Sequence, residues 1–237
     1  IFMISNPQDT TIKYFNKNWK PLKAEWLATY TKLEIHHGDH EYEIKYLHKD
    51  KGLLYEGEYQ SLEPETEHGV CKHYDEEGGL LEKGYFKNGR PDSLWIVYDK
   101  KKKKYDTINY GYVREQLREN LWKKPEYKYY AIVEKMPSFP ASEKRKSEYK
   151  DFRDYLSSEK YYPLMARKKN IEGSVYIQFG VGKDGNIYDV RILRSKSKYL
   201  DLEAARIIMN SPQWNPGGQR GEKEAIKFNQ AVDFYND

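Results

Sequence analysis

The densest group of potentially reactive side chains is His36-His37-Gly38-Asp39-His40, which sets three imidazoles and a carboxylate within five residues. Such groups hold zinc or a related metal when the fold aims them at one point. Gly38-Asp39 is also turn chemistry, lying between the alternating stretches Lys32-Leu33-Glu34-Ile35 and Glu41-Tyr42-Glu43-Ile44, so a hairpin tip with solvated imidazoles is expected. Spacing without buried partners to orient the rings does not make a metal centre. Glu56, Glu58, Glu63 and Glu65 are plentiful carboxylates, but in hairpin sequence they face water. There is no G-x-S-x-G elbow, no Walker lysine loop and no H-E-x-x-H pair. The expectation is a non-enzyme with no catalytic residue, no metal and no cofactor.

Composition narrows the class further. The chain has 237 residues, 38% hydrophobic and 15% aromatic, with 23 tyrosines, and its mean hydropathy is −1.00. Tyrosine buries a ring while keeping its hydroxyl wet, which suits thin sheets better than a deep globule. Net charge is +4, from 41 basic and 37 acidic side chains, so there is no electrostatic case for nucleic acid. The run Lys100 to Lys104 reads as a solvated turn or linker, with a surface that meets anionic lipid or peptidoglycan as the alternative. The single cysteine, Cys71, excludes an internal disulfide.

Ordered signals concentrate in the last third. Val175, Ile177, Phe179 and Val181 alternate with small or polar residues, giving a strand with one buried face. Asp184-Gly185 supplies a reversal, and Ile187 to Leu193 is a second strand. Asp201 stands at a helix start, with Leu200, Ala204, Ile207 and Ile208 on one face, and Ser211-Pro212 stops that helix. Ile226, Phe228, Val232 and Phe234 alternate again, with Gln230 interrupting the apolar row. A hairpin followed by a crossover predicts a three-stranded sheet in the order second, first, third, leaving the third strand as an edge. An open edge can accept an extended peptide as an added strand.

These residues resemble the C-terminal domain of the TonB family of Gram-negative energy transducers. The likeness rests on Tyr162-Pro163 with Ala166, Ile171-Glu172-Gly173 before a V-x-I-x-F strand, Asp184-Gly185, and Leu202-Glu203-Ala204. It continues through Pro212-Gln213-Trp214-Asn215-Pro216-Gly217 and the final Val232-Asp233-Phe234. Upstream, Val133 to Pro140 is similar to the lead-in of Bacteroidetes members. The resemblance implies a periplasmic or envelope location, and a peptide partner, the TonB box of an outer-membrane receptor. It places that peptide along Lys227, Phe228, Asn229, Gln230, Ala231 and Val232, flanked by Tyr161, Tyr162 and Pro163. Where many relatives have a proline before the last Val-x-Phe, this chain has Ala231, which keeps its N–H. Coupling to ExbB–ExbD is implied only for a chain with a membrane helix, and no stretch here is long and apolar enough to span a bilayer.

The front half carries a weak repeat. Gly52-Leu53-Leu54-Tyr55-Glu56-Gly57-Glu58-Tyr59 recurs as Gly79-Leu80-Leu81-Glu82-Lys83-Gly84-Tyr85-Phe86, and Asn88-Gly89 turns into Leu94-Trp95-Ile96-Val97-Tyr98. This resembles MORN-like repeats of YwqK-type antitoxin proteins, although Ser93 stands where their pattern has glycine before Trp-x-x-Tyr. An antiparallel meander is expected, with Tyr, Trp and Leu side chains on one face.

The expected organisation is thus α+β. Residues 1–10 are the remnant of a signal peptide or a frayed end, and 11–110 form the meander. Residues 111–142 are a linker with a short helix over Tyr110 to Trp122, and 143–237 form the TonB-type domain with a helix over 143–157. Two other readings stay open: a homodimerising spacer of the envelope, pairing through the same edge, and an antitoxin-like module binding another protein.

Overall fold

The computed structural model describes residues 9–100, 103–119, 127–140 and 149–235. They fall in two compact units, Ile1–Asn109 and Tyr110–Asp237. The signal-peptide reading of the first residues, Trp122, Pro125 and most of the 143–157 stretch before Tyr149 lie outside the described residues.

The first unit is built on strands β1 (Thr10–Phe15), β2 (Pro21–Leu22), β3 (Tyr30–Gly38), β4 (Glu41–His48), β5 (Gly52–Leu62), β6 (Glu65–Tyr74), β7 (Leu80–Lys87), β8 (Arg90–Asp99) and β9 (Lys104–Asn109). They form one antiparallel sheet in the order β2-β1-β3-β4-β5-β6-β7-β8-β9. The repeat has a packing reason. A Cβ on Gly57 would sit 2.0 Å from the Tyr55 hydroxyl, and one on Gly84 would sit 2.1 Å from the Trp95 ring, so each glycine clears a bed for an aromatic lying flat on the sheet. Tyr59 and Phe86, which end the two repeat units, are buried. The repeat leucines, Leu53, Leu54, Leu80 and Leu81, are only half-buried, so the aromatics carry the packing.

That buried face is unusually polar. One row across the sheet runs Lys32, Tyr46, Tyr55, His73, Glu82. Lys32 Nζ lies 2.7 Å from both Glu34 and Glu65, and His73 Nδ1 lies 2.8 Å from Glu82 Oε1. Burial alone would lower the Lys32 pKa, but the two carboxylates outweigh it and raise it.

The second unit contains α1 (Tyr110–Glu119), β10 (Tyr129–Tyr130), α2 (Phe152–Glu159), α3 (Leu164–Lys168), β11 (Gly173–Val181), β12 (Ile187–Arg194), α4 (Lys198–Met209), β13 (Gly217–Gln219) and β14 (Glu222–Phe234). Its sheet has the order β10-β14-β11-β12, with β13 pairing beside β14. The sheet therefore has five strands rather than the expected three, and β10 pairs parallel to β14 at Tyr129↔Ala225 and Tyr130↔Ile226. The stretch read as a linker is built into this unit. It supplies α1 and β10, and the bridges Lys135↔Gly218 and Ser138↔Asn215.

The alternating residues Val175, Ile177, Phe179 and Val181 are buried, as are Leu200, Ala204, Ile207 and Ile208 of α4 and Ile226, Val232 and Phe234 of β14. The cap of α4 is Ser197, whose hydroxyl accepts from Leu200 N, and not Asp201. Asp201 instead accepts from Lys196 N and the Ser195 hydroxyl. Likewise α2 starts at Phe152, because the Asp151 carboxylate accepts from Asp154 N, and Tyr149 precedes the helix. Gly185 has φ +84°, and a Cβ there would lie 2.0 Å from the Trp214 carbonyl oxygen. Only glycine lets the β11–β12 turn meet the segment before β13 so closely.

Candidate functional site: the outer side of β14

In β14 the residues Lys227 to Phe234 pair on one side with Gly180 to Gly173 of β11. On the other side β10 reaches only Ala225–Ile226, and β13 pairs with β14 at Glu222–Glu224. Strand 14 is therefore covered over its first five residues, which corrects the expectation of a wholly free third strand. Among the described residues no strand pairs with the outer side of Lys227–Phe234.

In an antiparallel ladder the N–H and C=O of one residue point the same way, and successive residues point to opposite sides. The carbonyls of Ala231 and Asp233 accept side-chain donors, Gln230 Nε2 at 2.6 Å and Lys160 Nζ at 2.5 Å. Period-two alternation then puts the backbone groups of Lys227, Asn229, Ala231 and Asp233 on the open side. Proline at 231 would remove one outward donor there.

The side chains named from sequence have diverse places. Lys227 Nζ lies 3.5 Å from Asp189 and 5.0 Å above the Tyr129 ring. Phe228 packs between Phe179 and Trp214, at ring separations of 5.7 and 5.4 Å. Asn229 accepts from Gln178 Nε2 at 3.1 Å, and Val232 is buried opposite Val175. Tyr162 is buried, donates its hydroxyl to Ile171 O at 2.7 Å, and sets its ring 5.7 Å from Phe234. Pro163 is buried at the start of α3. Tyr161 reaches inward through its amide, which donates to Glu203 Oε1 at 2.8 Å. The residue of this segment that donates to an edge carbonyl is Lys160, which the sequence reading did not single out.

Two clusters lie near the segments that meet the edge. On α4, fully buried Glu203 accepts from Arg206 Nε and Nη2 at 2.7 and 2.6 Å and from the Tyr110 hydroxyl at 3.0 Å. Burial disfavours the Arg206 charge, yet the Glu203 carboxylate outweighs it and raises its pKa. At the start of the free stretch, the Tyr129 ring occupies the space a Cβ on Gly180 would fill, at 2.3 Å. Burial, and then the nearby Asp189 charge, push the Tyr129 phenol up to about 12.

The histidine-rich turn is elsewhere, in the first unit. His36 packs on Tyr42 at 4.3 Å, His37 lies 3.6 Å from Glu43, and His40 has φ +63° at the turn. His37, His40 and His68 line a groove of about 470 Å³, and among the described residues no group of three potential ligands converges on a metal position. Gly180-Val181-Gly182-Lys183-Asp184-Gly185 has the spacing of a dinucleotide fingerprint. It leads into strand β12 rather than a helix, so no helix N-terminus stands ready for a pyrophosphate.

Residues 158–235 match the family described as Gram-negative bacterial TonB protein C-terminal. The match contains β14, β11 and the Glu203–Arg206 pair. The NMR solution structure of Helicobacter pylori TonB-CTD (residues 179-285) overlaps 36% of this chain and 78% of its own, at 23% identity and a TM-score of 0.26. No curated protein matches the chain. Among the described residues no helix is long and apolar enough to cross a membrane.

Proposed function

We propose that the second unit is a TonB-type docking domain of the Gram-negative envelope that takes an extended peptide, the TonB box of an outer-membrane receptor, by strand addition. The observation that carries this reading is the vacant side of Lys227–Phe234 in a stretch that matches the TonB C-terminal family. Four outward residues offer a donor and an acceptor each, enough for a short added strand. Main-chain groups of Lys227 to Val232 supply the pairing, while Phe228 and Gln230 border the strand on the helix side. Tyr161, Tyr162 and Pro163 act from behind, by holding α3 and the sheet in register. The first unit serves as a MORN-like platform, and coupling to ExbB–ExbD belongs to a chain that includes a membrane helix. No catalytic step is assigned.

The test is titration with synthetic TonB-box peptides, read by calorimetry and by amide exchange. Binding should slow exchange at Lys227, Asn229, Ala231 and Asp233. Ala231→Pro should leave the fold intact and weaken binding about two- to tenfold, the worth of one ordinary hydrogen bond. Equal affinity in wild type and variant counts against the edge. A stable dimer that ignores peptide favours the spacer reading instead.

A further inference from the structure

The vacant edge is already partly occupied from within. Lys160 Nζ donates to Asp233 O at 2.5 Å, and Gln230 Nε2 donates to Ala231 O at 2.6 Å. These carbonyls lie two residues apart on the open side, so a strand added there needs both for its own N–H groups. A side chain in the ladder direction also fills the space where a neighbouring backbone would run, about 4.8 Å away.

Lys160 is not a loose surface lysine. Its ammonium lies 5.5 Å over the Phe234 ring. The residues on both sides of it are tied to the same buried pair: Arg206 Nη2 donates to Glu159 O at 2.7 Å, and Tyr161 N donates to Glu203 Oε1 at 2.8 Å. This ion pair on α4 thereby fixes the backbone from which Lys160 reaches the edge.

We propose that Lys160 and Gln230 are edge guards. They cap the outward carbonyls of β14 in the free protein, prevent pairing with another exposed edge, and must swing away before a TonB-box peptide can add. Proteins that keep a strand edge open protect it with such inward-reaching charged and polar side chains. The role assigned to the guards rests on the strand-addition reading above, and it adds that the site is competitively self-capped.

The experiment uses the full chain with Lys160→Met and Gln230→Met, singly and together; each keeps the stem and removes the donor. Two quantities are read: affinity for a TonB-box peptide, and sedimentation without peptide. Each single variant should bind about two- to tenfold tighter, the change set by no longer breaking one hydrogen bond. The double variant should self-associate at concentrations where the wild type is monomeric. Either gain supports the guards. Weaker peptide binding in the variants overturns the proposal, as does a wild type already dimeric through this edge. Unchanged affinity together with unchanged sedimentation overturns it as well. If no form binds peptide but the double variant self-associates, the guards stand and the TonB-box reading fails.

Discussion

The two sheets solve the same problem in opposite ways. In the first unit every strand pairs with its neighbour in sequence, apart from the placement of β2 outside β1, and the buried face is tyrosine, histidine, glutamate and lysine arranged over glycine beds. In the second unit β11 lies between β12 and the distant β14, its buried face is aliphatic and phenylalanine, and the buried carboxylates are Glu203, paired with Arg206, and Asp189, paired with Arg191. A meander spends its polarity across a whole face and needs only local turns. The small sheet keeps its polarity local, and the Glu203–Arg206 pair ties α4 to the backbone at Glu159 and Tyr161.

Four measurements sharpen that contrast. The largest effect is expected for Glu203→Ala, which leaves the Arg206 charge buried without its partner and should destabilise the second unit by about 3–5 kcal/mol. Thermal unfolding followed by probes in each unit should show the loss there, with the first unit's transition unmoved. Next, Gly84→Ala puts a methyl 2.1 Å from the Trp95 ring and should cost the first unit about 1–3 kcal/mol as the ring is displaced.

The third test is pH. Burial pushes the phenols of Tyr46 in the first unit and Tyr129 in the second up to about 12 from 10.0. Below pH 10 each is neutral folded and unfolded, so it adds no pH dependence. Between pH 10 and about 12 only the unfolded chain releases the proton, so stability falls as pH rises through that window. Tyr46→Phe should flatten the alkaline slope of the first transition and Tyr129→Phe that of the second. The smallest effect is a gain: Ser93 has φ +57°, and Ser93→Gly should stabilise the first unit by about 0.5–1 kcal/mol in denaturant titrations.

How far the chain is legible differs between the units for the same reason. The alternation of Val175 to Val181 and the face of Leu200 to Ile208 are local periodicities, and the structure buries just those side chains. The Asn88-Gly89 turn is local too, with both residues at positive φ. The glycines of the repeat could be seen as a pattern, yet their function as ring beds required knowing that Tyr55 and Trp95 lie across them. Asp201 looked like a helix cap, but Ser197, four residues earlier, reaches Leu200 N first.

What the sequence determined by itself is β11, β12, α4 and β14 and the Asp184-Gly185 turn, though not α3 or β13, because strand, helix and turn preferences act over a few residues. The tertiary structure decided that β10 covers only Ala225–Ile226, that Tyr162 and Pro163 face inward, and that Lys160 and Gln230 cap the open carbonyls. Each of those outcomes joins groups that are far apart in the chain or depends on which side of a strand a carbonyl points. Neither is written in any local run of residues; both follow only once Glu203 and Arg206 are buried together and β14 is laid against β11.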